Sequence, residues 1–117
     1  MNISETAEFV RSKGGFLVCA HPFRVRDYIP DPDRPPIPSN FDGVEIYNHA
    51  NSPEENRKAA DYAKKHGLAP ASGGDTHHTG GLGYAGLAFE NRIQNNKALV
   101  TALKNGDYRL IVNGETV

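Results

Sequence analysis

Six of the eight prolines in this 117-residue chain fall between Pro22 and Pro38. A prolyl ring fixes φ and removes a backbone donor, so neither a helix nor an interior strand survives that density. A long irregular loop is therefore predicted from Pro22 to about Asn40. So long a segment in a small domain is expected to be functional or mobile. Arg24, Arg26 and Arg34 lie in it. Their plain reading is solubilising surface charge. Arg24, three residues past His21, also has a sharper one: a guanidinium that forks onto phosphate oxygens.

Residues 2 to 13 read as a helix. Asn2 or Ser4 caps it, Ile3, Ala7 and Val10 share one face, and Gly14 ends it. Phe16-Leu17-Val18-Cys19-Ala20 follows as a continuous apolar run, the pattern of a strand buried on both faces. Cys19 is then a small core residue rather than a nucleophile. The run ends at His21-Pro22, which places His21 at a strand's carboxyl end, where α/β folds build their sites.

Beyond the loop, Asp42 to Asn48 is a second strand on the strength of Val44 and Ile46. Glu45 inside it needs a partner, either a metal site or backbone groups. Ser52-Pro53-Glu54-Glu55 is a capping box with proline at the first helical position. Its helix runs to His66 and stops at Gly67, with Ala59, Tyr62 and Ala63 facing inward. His66 in the last turn is accounted for by the helix dipole.

Next comes Leu68-Ala69-Pro70-Ala71, a short apolar run leading into Gly73-Gly74-Asp75-Thr76-His77-His78. If the strand continues, Asp75 and His77 point to one face and Thr76 to the other. A carboxylate beside a neutral imidazole is the mixed donor set of divalent metals that do hydrolytic chemistry. His78 would face away, and His49 reads as a solvated loop residue. The glycines from Gly81 to Gly86 lack the strand-turn-helix context of a phosphate-binding fingerprint and read as a tight reversal. A helix over 95–105 and a strand from Tyr108 to Val112 complete the order α-β-loop-β-α-β-β-α-β. The fold class is α/β, in a single domain spanning 1–117.

With 13 basic and 14 acidic residues, the chain carries no electrostatic footprint for nucleic acid or an anionic membrane. Its one cysteine excludes an internal disulfide. No apolar stretch approaches a transmembrane length and the amino terminus lacks a signal-peptide pattern, so a cytoplasmic location is expected.

Taken in order, four segments resemble the carboxyl-terminal half of the PHP (polymerase and histidinol phosphatase) family. They are Ala20-His21-Pro22-Phe23-Arg24, Asp42-Gly43-Val44-Glu45-Ile46-Tyr47-Asn48, the helix Asn56–Gly67 with its N-x-x-A-x-x-x-A-x-x-x-G pattern, and Gly73-Gly74-Asp75-Thr76-His77. The resemblance covers almost the whole chain. It implies half of a distorted (β/α)7 barrel with mostly parallel strands. It also implies a divalent metal (zinc, manganese or iron) and hydrolysis of a phosphorylated small molecule or nucleotide. His21, Asp75 and His77 are similar to the family's metal ligands, and Arg24 to an arginine found beside the substrate phosphate.

The family's opening His-x-His pair, and the glutamate and histidines of its second motif, have no counterpart here. The resemblance thus implies a metal-dependent phosphoesterase that is incomplete alone, completed by an upstream PHP half or a second copy. Two other readings stand beside it. One is a degenerate module that holds metal without catalysis; the other is a self-associating interaction domain. Half a barrel would leave open sheet edges and apolar faces for a partner to cover.

Overall fold

The computed structural model describes residues 1–117. Asn2 caps helix α1 (Ile3–Ser12) through a reciprocal box with Glu5. Of the expected inward face only Ala7 is buried; Ile3 is exposed. Strand β1 is shorter than the apolar run that contains it, just Val18–Cys19, and both residues are half-buried rather than enclosed. Two local causes shorten it. Leu17 is drawn to Asp42, its N–H to the carboxylate at 2.8 Å and its carbonyl to the Asp42 N–H at 2.9 Å. At the other end His21 leaves the extended region with φ +31°.

The proline-dense segment forms no strand and only one 3-10 turn, Pro38–Asn40. It is nonetheless pinned: the Tyr62 hydroxyl donates to the Pro36 carbonyl, and Phe23 meets the Tyr62 ring edge-on at 5.6 Å. Strand β2 (Gly43–Asn48) and helix α2 (Pro53–His66) fall where expected. The α2 capping box between Ser52 and Glu55 is formed, and Gly67 ends the helix in the left-handed region at φ +64°.

Strand β3 (Ala69–Gly73) lies parallel to β2, and β2 parallel to β1. Their carboxyl ends share one edge of the molecule. The remaining strands depart from the mostly parallel arrangement. Strands β4 (Ala85–Phe89), β5 (Tyr108–Val112) and β6 (Glu115–Thr116) make a separate antiparallel sheet, with α3 (Asn96–Asn105) between β4 and β5. β6 exists because Asn113-Gly114 is a two-residue hairpin turn, both residues at positive φ. Neither three-stranded sheet closes into a barrel. Ser72 joins them: its hydroxyl donates to the Ile111 carbonyl at 2.6 Å and accepts from the Gly86 N–H at 3.3 Å.

The apolar core is small. Val44, Ala59, Tyr62 and Ala63 form it, with Cys19, Phe23, Ile46 and Leu68 packed around them. Six apolar residues are buried, and six polar or charged ones are buried with them. Three of those six, Arg24, Glu45 and Asn48, gather at one place. No helix is long and apolar enough to cross a membrane.

Candidate functional site

That place is the carboxyl edge of the parallel sheet. Arg24 enters it from the loop after β1, held by a turn in which its N–H donates to the His21 carbonyl. Three of its nitrogens reach three different acceptors. Nε donates to Asn51 Oδ1 at 2.8 Å, Nη2 to Asn48 Oδ1 at 2.9 Å, and Nη1 lies 2.6 Å from Asp75 Oδ2. The guanidinium thereby ties the loop after β1 to those after β2 and β3.

Asn48 is 1 % exposed and acts as the hub of the network. Its Oδ1 also accepts from the Ala50 N–H, and its Nδ2 donates to Glu45 Oε2 at 3.0 Å. Asn56 of α2 clamps its backbone, accepting from the Asn48 N–H at 3.0 Å and donating to the Asn48 carbonyl at 3.2 Å. Glu45 finds its partners in the protein: besides Asn48, its Oε2 accepts the His21 N–H at 2.7 Å.

β3 ends at Gly73, so the paired projection of Asp75 and His77 does not come from strand alternation. Asp75 lies in the following loop at φ +48°. The two side chains converge all the same, with His77 Nε2 3.2 Å from Asp75 Oδ1. Left-handed backbone at a residue other than glycine costs on the order of 1–3 kcal/mol, and it persists where the surroundings impose it. At Asp75 the imposing contact is Arg24; at His21 it is Glu45 on the backbone N–H.

The hydrogen bond from Arg24 holds the Asp75 carboxyl below its ordinary range, against the opposing effect of burial; the charges of Arg24, His21 and His77 add to the lowering. His77 is exposed. His49 stacks on Tyr84, ring centroids 4.6 Å apart and planes within 7°, and takes part in a hydrogen bond with the Tyr47 hydroxyl. His78 forms no ion pair with Asp75, whose partners are Arg24 and His77.

The expected donors thus come together in part. Asp75 and His77 converge, and His21 is near enough for its charge to bear on Asp75. The donor chemistry suits a divalent metal, but the donor count does not: no group of three or more His, Cys, Asp or Glu side chains is arranged to hold one. The chain by itself does not fit a complete metal centre. Sequence reading notes Asn48 and Asn56 within the resembling segments but gives the amides of Asn48, Asn51 and Asn56 no role. Only the fold brings Asn48 and Asn51 to Arg24 and Asn56 to the Asn48 backbone. Sequence reading also missed the second role of Glu55. Beyond capping α2, its Oε2 accepts the Val25 N–H and so anchors the arginine-bearing loop.

No curated protein and no solved structure matches the chain significantly. Residues 53–108, from the start of α2 to the start of β5, match the PHP-associated family. That span contains Asp75 and His77 and lies outside His21 and Arg24. The carboxyl-terminal region of the chain, from residue 53 to 108, is PHP-related.

Proposed function

We propose that the chain supplies one wall of a PHP-type metal-dependent phosphoesterase, as a portion of that family's distorted barrel. His21, Asp75 and His77 would be its ligands to zinc, manganese or iron. The remaining ligands would come from a second copy or from an upstream PHP half. The observation that carries this reading is the convergence of Asp75 and His77, 3.2 Å apart, at the carboxyl edge of a parallel sheet. A metal there would supply a water acidified for attack on phosphorus, with the ester oxygen leaving as an alcohol.

The chain's own residues prepare the place. Arg24 orients Asp75, and Asn48 orients Arg24. A guanidinium has five N–H donors, and three are engaged. The two left over, one on each terminal nitrogen, are suited to a phosphate oxygen. Glu45 holds the His21 backbone in its left-handed turn.

The test is metal binding by the wild type beside His21→Ala, Asp75→Asn and His77→Ala, titrated with manganese and zinc, with circular dichroism to confirm the fold. Binding that weakens in all three variants is expected. A folded wild type that takes up no metal would overturn the reading. A second reading, a self-associating module without catalysis, is favoured by the small apolar core. Only six apolar residues are buried, leaving Phe9, Val25, Ile37 and Leu82 exposed. Sedimentation in solution separates it: a concentration-dependent dimer that forms without metal, and equally in Asp75→Asn, supports the module.

A further inference from the structure

The Asn40 side chain is 7 % exposed, and its Nδ2 is the one buried side-chain nitrogen or oxygen with no hydrogen-bond partner in the protein. Asn40 also lines a cavity of about 300 Å³. We propose that this cavity binds a small monocarboxylate with an apolar tail, its carboxylate received by Asn40 and Arg34. The inference needs no metal and is independent of the phosphoesterase reading.

The cavity lies between the start of α1, the end of β1 and the proline-dense loop. Ile3, Cys19, Pro36, Ile37 and Phe41 give it apolar walls. The loop wall is fixed from both sides: the Tyr62 hydroxyl donates to the Pro36 carbonyl, and Arg11 Nη2 to the Ser39 carbonyl. Proline rings restrict it further, and a wall that is already ordered costs a ligand little to use. The volume lies at the lower end for small-molecule sites and suits one ring or a short branched chain.

The polar groups select the ligand's head. Asn40 and Arg34 are the strong side-chain donors lining the cavity, and no carboxylate lines it. Arg34 is exposed and forms no ion pair. The Asn40 amide is held by one long contact, Ser4 Oγ to Asn40 Oδ1 at 3.3 Å. Its terminal torsion is soft, so a rotation that offers Nδ2 to a ligand oxygen costs little. A buried donor left unmatched is expensive, and a carboxylate oxygen there would match it. Arg34 supplies the opposite charge. A phosphate fits less well, because its remaining oxygens would face apolar wall without donors.

The experiment titrates the isotope-labelled chain with phenylacetate, isovalerate, acetate and phenylacetamide, following the Asn40 side-chain amide resonances. Phenylacetate and isovalerate are expected to shift them to saturation. Acetate lacks the tail and phenylacetamide the charge, so both should bind more weakly. Arg34→Gln is expected to weaken phenylacetate binding about threefold, the scale of an exposed ion pair. Asn40→Leu should weaken it about tenfold, yet unfold at no lower denaturant concentration than wild type, since it removes an unmatched donor beside a cavity with room for its methyl groups. Replacing a purely structural asparagine would instead destabilise the chain. Resonances that stay fixed with both tailed acids would overturn the proposal, as would equal affinity for phenylacetate and phenylacetamide. So would a destabilised Asn40→Leu, or one that binds as wild type does. The wild-type titrations and Arg34→Gln, at an exposed position, decide the matter even where Asn40→Leu does not fold.

Discussion

Gly73 and Glu45 are locked together across the β2–β3 pair: a β-carbon on Gly73 would fall 1.8 Å from Glu45 Oε1. Glycine is needed there for space, since the contact is with a carboxylate that already holds the His21 N–H and the Asn48 amide. Glu45 cannot yield without releasing one of them. Gly73→Ala is therefore expected to cost about 1–3 kcal/mol, the range of overpacking in a filled interior. Denaturant unfolding measures it. Glu45→Ala,Gly73→Ala should recover only the steric part, because the His21 turn stays unsupported. A stability of Gly73→Ala equal to wild type would mean that Glu45 has room to turn away.

The Arg24–Asp75 pair makes stability depend on acid. The folded carboxyl is lowered from the ordinary 3.8, chiefly by the hydrogen bond from Arg24. A lowered group contributes stability that is complete above its unfolded value and is lost as pH falls through the folded one. At pH 7 Asp75→Asn is expected to be less stable than wild type by about 2 kcal/mol, the scale of a hydrogen bond to a charged group. The gap should narrow as pH falls below about 4. Unfolding curves of both proteins from pH 2 to pH 7 decide it; a gap constant across that range would separate Asp75 from the acid response.

These two pairs mark where the sequence was legible and where it was not. Capping signals are local chemistry, and Ser52 to Gly67 could be read with the helix bounds intact. The loop over 22–40 was equally legible, because proline acts through its own ring. What escaped was non-local. The strand carrying Ala69 to Ala71 ends at Gly73, so Asp75 and His77 meet through a turn rather than a pleat. Asn113-Gly114 is a local hairpin signal, yet the strand after it, β6, is only two residues long and has no apolar pattern to mark it. The antiparallel sheet is a matter of topology, which a helix between two strands does not determine. Arg24 was singled out for its distance from His21, but its asparagine partners lie more than twenty residues away.

Glu55 does two jobs with its two oxygens. Oε1 accepts the Ser52 N–H at 2.8 Å, and Oε2 accepts the Val25 N–H. Ser52→Ala removes only the helix cap and is expected to cost about 1 kcal/mol. Glu55→Ala removes the cap's other half and the anchor of the loop. It should lose more stability and, unlike Ser52→Ala, speed cleavage by trypsin at Arg24 and Arg26. Limited proteolysis with mass detection separates the two effects. Equal cleavage rates in both variants would show that the Val25 contact does not order the loop.

Cys19 tests whether the edge strand stays closed in solution. Burial, with the Glu45 charge adding to it, pushes its thiol up to about 11. The thiolate is the reactive form, so at pH 8 the folded protein should alkylate roughly two orders of magnitude more slowly than an unperturbed thiol of pKa near 8.5. Denaturant should restore the ordinary rate. Iodoacetamide labelling followed by mass spectrometry gives both values on the unmodified chain. Gly73→Ala supplies the link back to the site: if Glu45 is what closes the end of β1, labelling of Cys19 should quicken in that variant before global unfolding begins. Labelling of the folded wild type at the free-thiol rate would mean that β1 opens readily.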